Sequence, residues 1–210
     1  MPVTAKWLTQ FFGDLSPFQI FVSLVALLTG IYTFYKSFLE RARISMYPGD
    51  AVRFIVSKDG PFSNFHLMCN LINKSTKVGT VHRLEVRVWG PQNTTYDYIW
   101  NLFYKYLPGG QVVQKESDPY PVAVPQKDSK LLLVGFQSEA KQSYKWSEGK
   151  YKFKVIGWVN RRHRLQPSNL ESIFHLQITN DIIRQASEPT PPTAPVFITV
   201  PIIEWERKHG

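Results

Sequence analysis

An uncharged, apolar stretch near the N-terminus constrains this chain more than any other feature. Between Asp14 and Lys36 the sequence reads LSPFQIFVSLVALLTGIYTFY, without one charged residue. About 20 such residues at a rise of 1.5 Å each cross the hydrocarbon core of a bilayer. A lone segment can cross only as a helix, because a helix satisfies its own backbone hydrogen bonds. The sequence therefore predicts a short flank at 1–14 and one transmembrane helix over 15–40.

Two other interpretations of this stretch remain open from the sequence. A cleaved signal peptide has a basic start, a shorter apolar core and small residues before the cleavage site. Here the flank carries only Lys6, and the stretch ends in bulky aromatic residues. A buried core helix of a soluble protein is usually shorter than this. The membrane-spanning interpretation fits better than either.

Basic residues gather on the C-terminal side of the predicted helix. Lys36, Arg41 and Arg43 form a juxtamembrane basic group, against a single lysine before the helix. The positive-inside rule therefore predicts a cytoplasmic C-terminal domain, with a periplasmic or extracellular domain as the alternative. The single cysteine gives no disulfide framework that would indicate an oxidising compartment. Asn73-Lys-Ser and Asn93-Thr-Thr match glycosylation acceptors, which matter only if the domain is translocated.

The chain beyond the helix alternates between apolar and polar residues, which is typical of strands that cover a core with one face. We expect a juxtamembrane linker at 41–50, one mainly β domain at 51–206 and a tail at 207–210. Short strands between turns favour an antiparallel β-sandwich of the immunoglobulin-like kind. Pro201 indicates that the last strand lies at an edge. The predicted core positions are Val52, Phe54, Val56, Phe65, Leu67, Cys69, Leu71, Leu84, Val86, Val88, Tyr151, Phe153, Val155, Phe174, Leu176, Ile178, Val196, Ile198, Val200 and Ile202.

The segment 94–110 is unusually aromatic and is predicted as an insertion in the sandwich. At helical spacing Trp100, Phe103, Tyr104 and Leu107 share one face, which favours a short helix. The same residues also fit an alternating strand, so both structures remain open for 96–107. These four residues are a candidate aromatic docking face for a partner or for the bilayer interface.

Two further runs carry a family resemblance. The run FHLMCNLINKSTKVG at 65–79 and the later run WSEGKYKFKV at 146–155 together resemble immunoglobulin- or fibronectin-like sandwiches of uncharacterised bacterial single-pass membrane proteins. In such folds a W-x-x-G-x-Y run leads into a late strand. The resemblance covers roughly residues 45–205 and implies an architecture without an activity. The chain lacks the cysteine pair that brackets a core tryptophan in antibody-type domains.

Motifs of catalysis are missing from the sequence. It contains no phosphate-binding loop, no H-E-x-x-H, no G-x-S-x-G and no C-x-x-C. Cys69 lies among apolar residues and is expected to be a buried, unreactive thiol. His66, His82 and His175 fall on predicted strands, without partners at metal-ligand spacing. We therefore expect no enzymatic activity, no metal and no cofactor.

The charge of the chain is strongly positive. Lys and Arg number 25 against 16 Asp and Glu, which gives a net charge of +9. The densest cluster, Arg161, Arg162, His163 and Arg164, is a candidate basic surface for anionic lipid headgroups. Nucleic acid is a less favoured partner, because these arginines lack interleaved aromatic residues and a recognisable nucleic-acid module.

These observations predict a non-catalytic binding, scaffold or accessory module, anchored by one helix and acting through a sandwich at the membrane surface. Its partners would be the bilayer and another protein, within a membrane complex or by self-association. The alternatives are a membrane-tethered enzyme or effector with a site built from dispersed strand-end residues, and an outward-facing receptor-like module.

Overall fold

The computed structural model describes residues 16–36, 41–57, 60–106, 113–138, 145–160, 168–187 and 196–206. The chain divides into two compact units between Arg41 and Ala42. Its helices are α1 (Pro17–Phe34) and α2 (Asn180–Ser187), and a 3-10 turn covers Pro91–Asn93. Its strands are β1 (Ile44–Ser57), β2 (Gly60–Asn73), β3 (Gly79–Trp89), β4 (Thr95–Tyr106), β5 (Val113–Ser117), β6 (Val122–Val124), β7 (Ser129–Ser138), β8 (Gly149–Val159), β9 (Leu170–Ile178) and β10 (Val196–Glu206).

Helix α1 lies within the range 15–40 predicted for the transmembrane helix, of which residues 15 and 37–40 lie outside the described residues. It begins with a capping box: the Gln19 N–H donates to Ser16 Oγ (3.3 Å), and the Ser16 N–H donates to Gln19 Oε1 (2.8 Å). Pro17 occupies the first turn, where its missing N–H costs little. None of the helix's residues is buried. By length and composition α1 can cross a membrane.

The β domain is a closed barrel, so the prediction of an immunoglobulin-like β-sandwich is wrong. Antiparallel neighbours follow the order β4-β7-β2-β1-β10-β9-β8-β3. Strand β3 then pairs with β4, from Glu85 opposite Ile99 to Trp89 opposite Thr95, which closes a circuit of eight strands. A sandwich consists of two separate sheets, whereas this circuit of eight strands closes on itself through the pairing of β3 with β4.

Strand β4 comprises most of the aromatic segment, for which a short helix was favoured and an alternating strand remained open. The described residues Thr95–Tyr106 form a strand that pairs with β3 and β7, so the favoured helix is wrong and the alternative of a strand is confirmed. A tight turn at Pro91–Asn93 leads into it, with the Gly90 N–H donating to the Thr94 carbonyl (2.9 Å). The alternating pattern of this segment, and not its helical spacing, corresponds to the structure. The reason is that β4 covers the core with one face where it closes the wall of the barrel.

Strands β5 and β6 each extend the sheet beyond the part in which β3 pairs with β4. Strand β5 pairs with the second half of β4, from Phe103 to Tyr106. Strand β6 pairs with the first residues of β3, with Val122 opposite Val81. The ten-stranded sheet is therefore closed at one end by the β3–β4 hairpin and extended at the other end by these two short strands.

Strands β1 and β10 correct two further expectations. Strand β1 begins at Ile44, inside the predicted linker at 41–50, and pairs with β2 from its first residue. Strand β10 lies between β1 and β9, so Pro201 does not mark a sheet edge. Pro201 is instead the last residue paired with β1, and pairing with β9 begins at Ile202. The missing proline N–H falls where β10 changes partners.

The barrel interior is filled by the side chains that alternation predicted. Nearly all of the predicted core positions are buried, as are further residues from β4, β6 and β7. Trp146 packs at one end, stacked on Tyr151 (ring centroids 4.3 Å apart) and on Phe62 (4.7 Å). The Tyr98 hydroxyl donates to the Phe62 carbonyl at 2.8 Å. Each large buried side chain contributes about 1.5–3 kcal/mol, so this interior dominates the stability.

Asn73, the last residue of β2, links the segments at the other end of the barrel by hydrogen bonds. Its amide nitrogen donates to the carbonyls of Lys77 (2.7 Å) and Val124 (3.1 Å). Its amide oxygen accepts from the Ser75 N–H (3.0 Å) and hydroxyl (2.6 Å). Asn73 is 1% exposed and its amide is fully engaged, whereas Asn93, in the other glycosylation tripeptide, is exposed.

Candidate functional site

A recess on the outer wall of the barrel forms where β2, β7 and β4 run side by side. His66 of β2 lies opposite Gly135 of β7, which lies opposite Leu102 of β4. These residues face away from the core, because their neighbours Val134 and Phe136 point inward. The register thus places one histidine at the floor of the recess.

Tyr104 covers that histidine. The ring centroids of Tyr104 and His66 are 3.9 Å apart. A Cβ atom on residue 135 would come within 2.5 Å of Tyr104 Cε2. Glycine at position 135 therefore leaves room for the tyrosine ring to lie across β7 and reach His66. Phe197 of β10 approaches the imidazole from the opposite side, at 5.7 Å.

The imidazole of His66 is buried without a hydrogen-bond partner. Its residue is 2% exposed, and neither ring nitrogen is hydrogen-bonded to any part of the chain that the structure describes. Burial, and secondarily the charge of Arg53, lower the pKa of His66 to about 4. A neutral imidazole presents one donor and one acceptor. Leaving both unpaired costs free energy that a bound hydrogen-bonding group could recover.

Carboxamides surround the recess, which has a volume of about 210 Å³. The Asn101 amide nitrogen donates to Gln137 Oε1 at 3.0 Å. The Asn64 amide nitrogen donates to Ser63 Oγ at 3.3 Å, while its oxygen has no hydrogen-bond partner among the described residues. Burial raises the pKa of the Tyr104 hydroxyl, so it stays protonated. The groups lining the recess are therefore uncharged donors and acceptors, suited to an uncharged polar ligand or a peptide segment.

The predicted aromatic docking face is divided between the two sides of β4. Phe103 is buried in the core, and Trp100 packs against that core. A bulge between Trp100 and Leu102 leaves Tyr104 on the outer side. Leu107 lies outside the described residues. Of the three residues that the structure describes, only Tyr104 therefore lies at the outer surface.

The predicted basic surface at 161–164 lies outside the described residues: Arg161, Arg162, His163 and Arg164. Described residues on either side of it, Val159 and Asn169, are hydrogen-bonded to each other. The Val159 N–H donates to Asn169 Oδ1 (2.7 Å), and the Asn169 amide nitrogen donates to the Val159 carbonyl (3.0 Å). In the juxtamembrane group, Lys36 Nζ lies 5.5 Å from the centre of the Tyr32 ring, and Arg41 and Arg43 are exposed.

The three strand histidines do not meet. His66 lies in the recess, His82 lies on β3, and His175 lies on β9. No group of three or more potential metal ligands occurs within the described ranges. His175 is instead placed between two carboxylates, with Nδ1 3.6 Å from Glu204 and Nε2 3.5 Å from Glu206. Burial, followed by the charge of Lys150, lowers its pKa below the usual value.

Those carboxylates belong to a ladder of ion pairs along the outer face of β8, β9 and β10. Lys150 pairs with Glu204 (2.6 Å) and Lys152 pairs with Glu206 (3.2 Å). The third ion pair of this ladder joins Lys154 and Glu171 at 3.0 Å. The lysines of β8 are therefore paired and do not form a free basic surface. The glutamates of β9 and β10 that pair with them are likewise engaged. Surface pairs of this kind contribute little stability each.

Cys69 is buried in the barrel interior, as the sequence indicated. Burial raises the pKa of its thiol to about 12. A thiol with such a pKa is protonated at neutral pH and is a poor nucleophile. Cys69 therefore contributes to packing in the described structure.

The sequence places His66 on a predicted strand, as it does two other histidines, and the recess around it was not predicted. A signal was present in Gly135, which interrupts the apolar run LLLVGF at 131–136. An isolated glycine within a strand often marks the close approach of another group. What could not be found in this way was the identity of that group, since Tyr104 lies on a strand 31 positions earlier in the chain.

Comparisons with known proteins found little similarity. No family model matches the chain, and no curated protein matches it. Among solved structures, the solution structure of a candidate late embryogenesis abundant (LEA) protein is similar at 10% identity. That similarity covers 76% of this chain and 83% of that chain, with a TM-score of 0.36. It is too weak to carry a conclusion about fold or function, and no family is identified.

Proposed function

We propose that this chain is a single-pass membrane protein whose barrel is a non-catalytic binding module at the cytoplasmic surface. The observation that carries the proposal is α1, an 18-residue apolar helix with no buried residue. Exposing so much apolar surface to water is unfavourable, by about 25 cal/mol for each Å². A bilayer removes that cost, and the residues that follow the helix are rich in lysine and arginine.

The recess supports binding rather than covalent chemistry. Its groups are a neutral histidine, a protonated tyrosine and carboxamides, which can hold a ligand but do not supply a nucleophile or a base with a matched acid. The alternative of a tethered enzyme would need a histidine joined to a carboxylate within a cleft. His175 approaches two carboxylates, but both are engaged by lysines on an exposed strand face.

Anchorage is tested by extraction of the full chain from membranes. We expect the protein to stay in the pellet in alkaline carbonate and to enter solution only with detergent, at its full mass. A product that is shortened near residue 40 and released by carbonate would show that the apolar segment is a cleaved signal.

Sidedness is tested with Ser147→Cys, a conservative change at an exposed position. An impermeant maleimide should label this cysteine only after the membrane is opened. The unmodified chain is the blank, because the buried Cys69 thiol is protonated. Labelling of intact cells would instead place the barrel outside, as in the receptor-like alternative.

Binding at the recess is tested with a photoreactive amino acid at Gln137, on its exposed rim. The matched control is the same substitution at Leu131, which lies on the same face of β7 and is 63% exposed. We expect an adduct in native membranes from position 137 and none from position 131. Equal adducts at both positions, or none at 137, would contradict the recess as the binding site.

A further inference from the structure

We infer that the end of the barrel at which the chain enters β1 binds anionic lipid headgroups. This basic end comprises Arg43 and the connections 73–79 and 125–130. Its cationic residues are Arg43, Lys74, Lys77, Lys127 and Lys130. The inference rests on the proposed anchorage and adds a second membrane contact, separate from the recess.

Backbone hydrogen bonds bring these segments together. The Lys74 N–H donates to the Arg43 carbonyl at 3.1 Å, and the Lys127 N–H donates to the Ser75 carbonyl at 3.1 Å. Lys130 follows in β7, opposite Leu71. The network around Asn73 holds the same loop, since the Lys77 carbonyl accepts from its amide at 2.7 Å. The cationic residues are therefore fixed at one end by ordered backbone.

The charges at this end are largely uncompensated. Arg43, Lys74, Lys127 and Lys130 form no ion pair with any described residue. The connections contain one carboxylate, Asp128, whose Oδ1 accepts from the Ser129 N–H at 2.7 Å. Lys74 and Lys127 line an open cleft of about 510 Å³ together with Asp128, so the cleft carries one net positive charge and is large enough for a phosphate headgroup.

The described part of the opposite end is electrically balanced. Arg184 pairs with Asp181 at 2.9 Å, and Glu148 accepts from the Asn180 amide at 2.5 Å. Lys145 supplies the remaining charge. Of the described residues at the two ends, only those of the basic end therefore carry a net positive charge, which is the pattern that a negatively charged surface selects.

An apolar side chain projects among these lysines. Val78 is 59% exposed, in the same loop as Lys74 and Lys77. A basic loop with an exposed aliphatic tip suits the interface of a bilayer, where charges meet phosphates and the apolar tip meets acyl chains. This combination favours a lipid surface over a nucleic acid, which would be bound by stacking aromatic residues.

Chain connectivity places a bilayer within reach of the basic end. Only residues 37–42 separate Lys36 from Arg43 in sequence. A segment of that length spans at most about 25 Å when fully extended. A membrane that holds α1 is therefore available to the basic end at high effective concentration. The cytoplasmic leaflet, on the side favoured by the juxtamembrane lysine and arginines, carries the anionic lipids.

The test uses the full chain in nanodiscs made of phosphatidylcholine alone or with phosphatidylserine. Val78→Cys carries a fluorophore, and a lipid-borne quencher reports contact with the bilayer. Buried Cys69 stays unlabelled. We expect strong quenching with phosphatidylserine, weak quenching without it, and loss of the difference in high salt. The same fluorophore on Ser147→Cys, at the opposite end, should show little quenching in either lipid.

Charge variants separate a specific contact from general attraction. Replacing Lys74 and Lys127 by glutamine should weaken the lipid contact by about 25-fold. Replacing Lys150 and Lys152 by glutamine removes the same net charge from the ion-pair ladder and should leave the contact nearly unchanged. Equal losses in the two double variants would overturn the inference, as would quenching that does not depend on lipid charge.

Two further outcomes are decisive. Co-elution of the protein with the nanodisc reports anchorage, so failure of the proposed function is seen separately from failure of the headgroup contact. Release of the Val78→Cys probe from phosphatidylserine by an oligonucleotide, at an equal concentration of phosphate, would assign the basic end to nucleic acid instead.

Discussion

Tyr104 lies across Gly135 and packs on His66, with the two ring centroids 3.9 Å apart. Three strands contribute to this arrangement, and each residue has a distinct part in it. The histidine is the buried polar group, the tyrosine excludes water from it, and the glycine leaves room for the tyrosine ring. The recess is therefore a small polar site covered by one aromatic side chain.

Enlarging residue 135 should uncover the histidine. In Gly135→Ala the new methyl group collides with the Tyr104 ring, which must move outward. Water then reaches the imidazole, so the pKa of His66 should rise from about 4 towards 6.5. NMR titration of the His66 ring protons measures this change. Tyr104→Ala should produce the same rise, and a pKa that stays near 4 in both variants would show that Tyr104 does not shield the site.

The buried histidine should make the protein less stable in mild acid. Its pKa is about 4 in the folded protein, against 6.5 normally, so the unfolded chain takes up a proton first as the pH falls. The contribution of His66 is complete above pH 6.5 and declines as the pH falls to about 4, by about 3 kcal/mol in total. Denaturant unfolding across this range measures the decline. In His66→Phe it should be smaller by that amount, and identical pH profiles for the two proteins would refute this assignment.

Trp146 should be a major contributor to stability although it lies outside the strands. Its ring stacks on Tyr151 and Phe62 and meets Phe54 at 5.4 Å. Trp146→Ala should lower the free energy of unfolding by about 3–5 kcal/mol, because it leaves a cavity at the end of the barrel. As a comparison, Tyr151→Phe loses only two hydrogen bonds to the Ser147 backbone and should cost about 1–3 kcal/mol. A loss below 1 kcal/mol for Trp146→Ala would contradict the packing.

Replacing Asn73 should lower the free energy of unfolding more than replacing an exposed asparagine of the domain. The Asn73 amide makes three hydrogen bonds within the loop 73–79 and a fourth to the Val124 carbonyl of β6. Asn73→Ala leaves buried partners unpaired and should cost about 2–4 kcal/mol in chemical denaturation. The control, Asn101→Ala, removes one exposed hydrogen bond and should cost less than about 1 kcal/mol. Equal costs for the two variants would show that the Asn73 network does not stabilise the barrel.

Cys69 should report global unfolding of the barrel. Its thiol is enclosed by the core, and its pKa is raised to about 12. Alkylation should therefore be negligible in the native protein and should follow the unfolding curve measured by fluorescence in denaturant. Rapid native alkylation would show that the interior of the barrel opens locally.

Much of the strand pattern could be predicted because alternation is a local property. Positions such as Phe65, Leu67 and Tyr151 were predicted inward, and all are buried. A sandwich and a barrel require the same alternation, however, so the pattern did not distinguish between them. The deciding contact is the pairing of β3 with β4, and β4 is the segment whose aromatic residues also fit a helix.

The candidate sites divide in the same way. Helical spacing placed Trp100, Phe103 and Tyr104 on one face, whereas on β4 Trp100 and Phe103 lie on the inner side and Tyr104 lies on the outer side. His66 could not be recognised as part of a recess, because its neighbours come from β7 and β4. No local pattern indicates partners for Lys150 and Lys152 of β8, and only the position of β10 reveals that Glu204 and Glu206 pair with them.

The sequence by itself determined that the apolar segment forms a helix able to cross a membrane, that the rest is built mainly of strands, and which side chains of several strands face the core. These properties follow from runs and periods within single segments. The tertiary structure decided that the strands close into a barrel, that Tyr104 covers His66, and that distant basic connections meet at one end. Those outcomes depend on strand order and register, because antiparallel pairing joins residues that no local pattern relates.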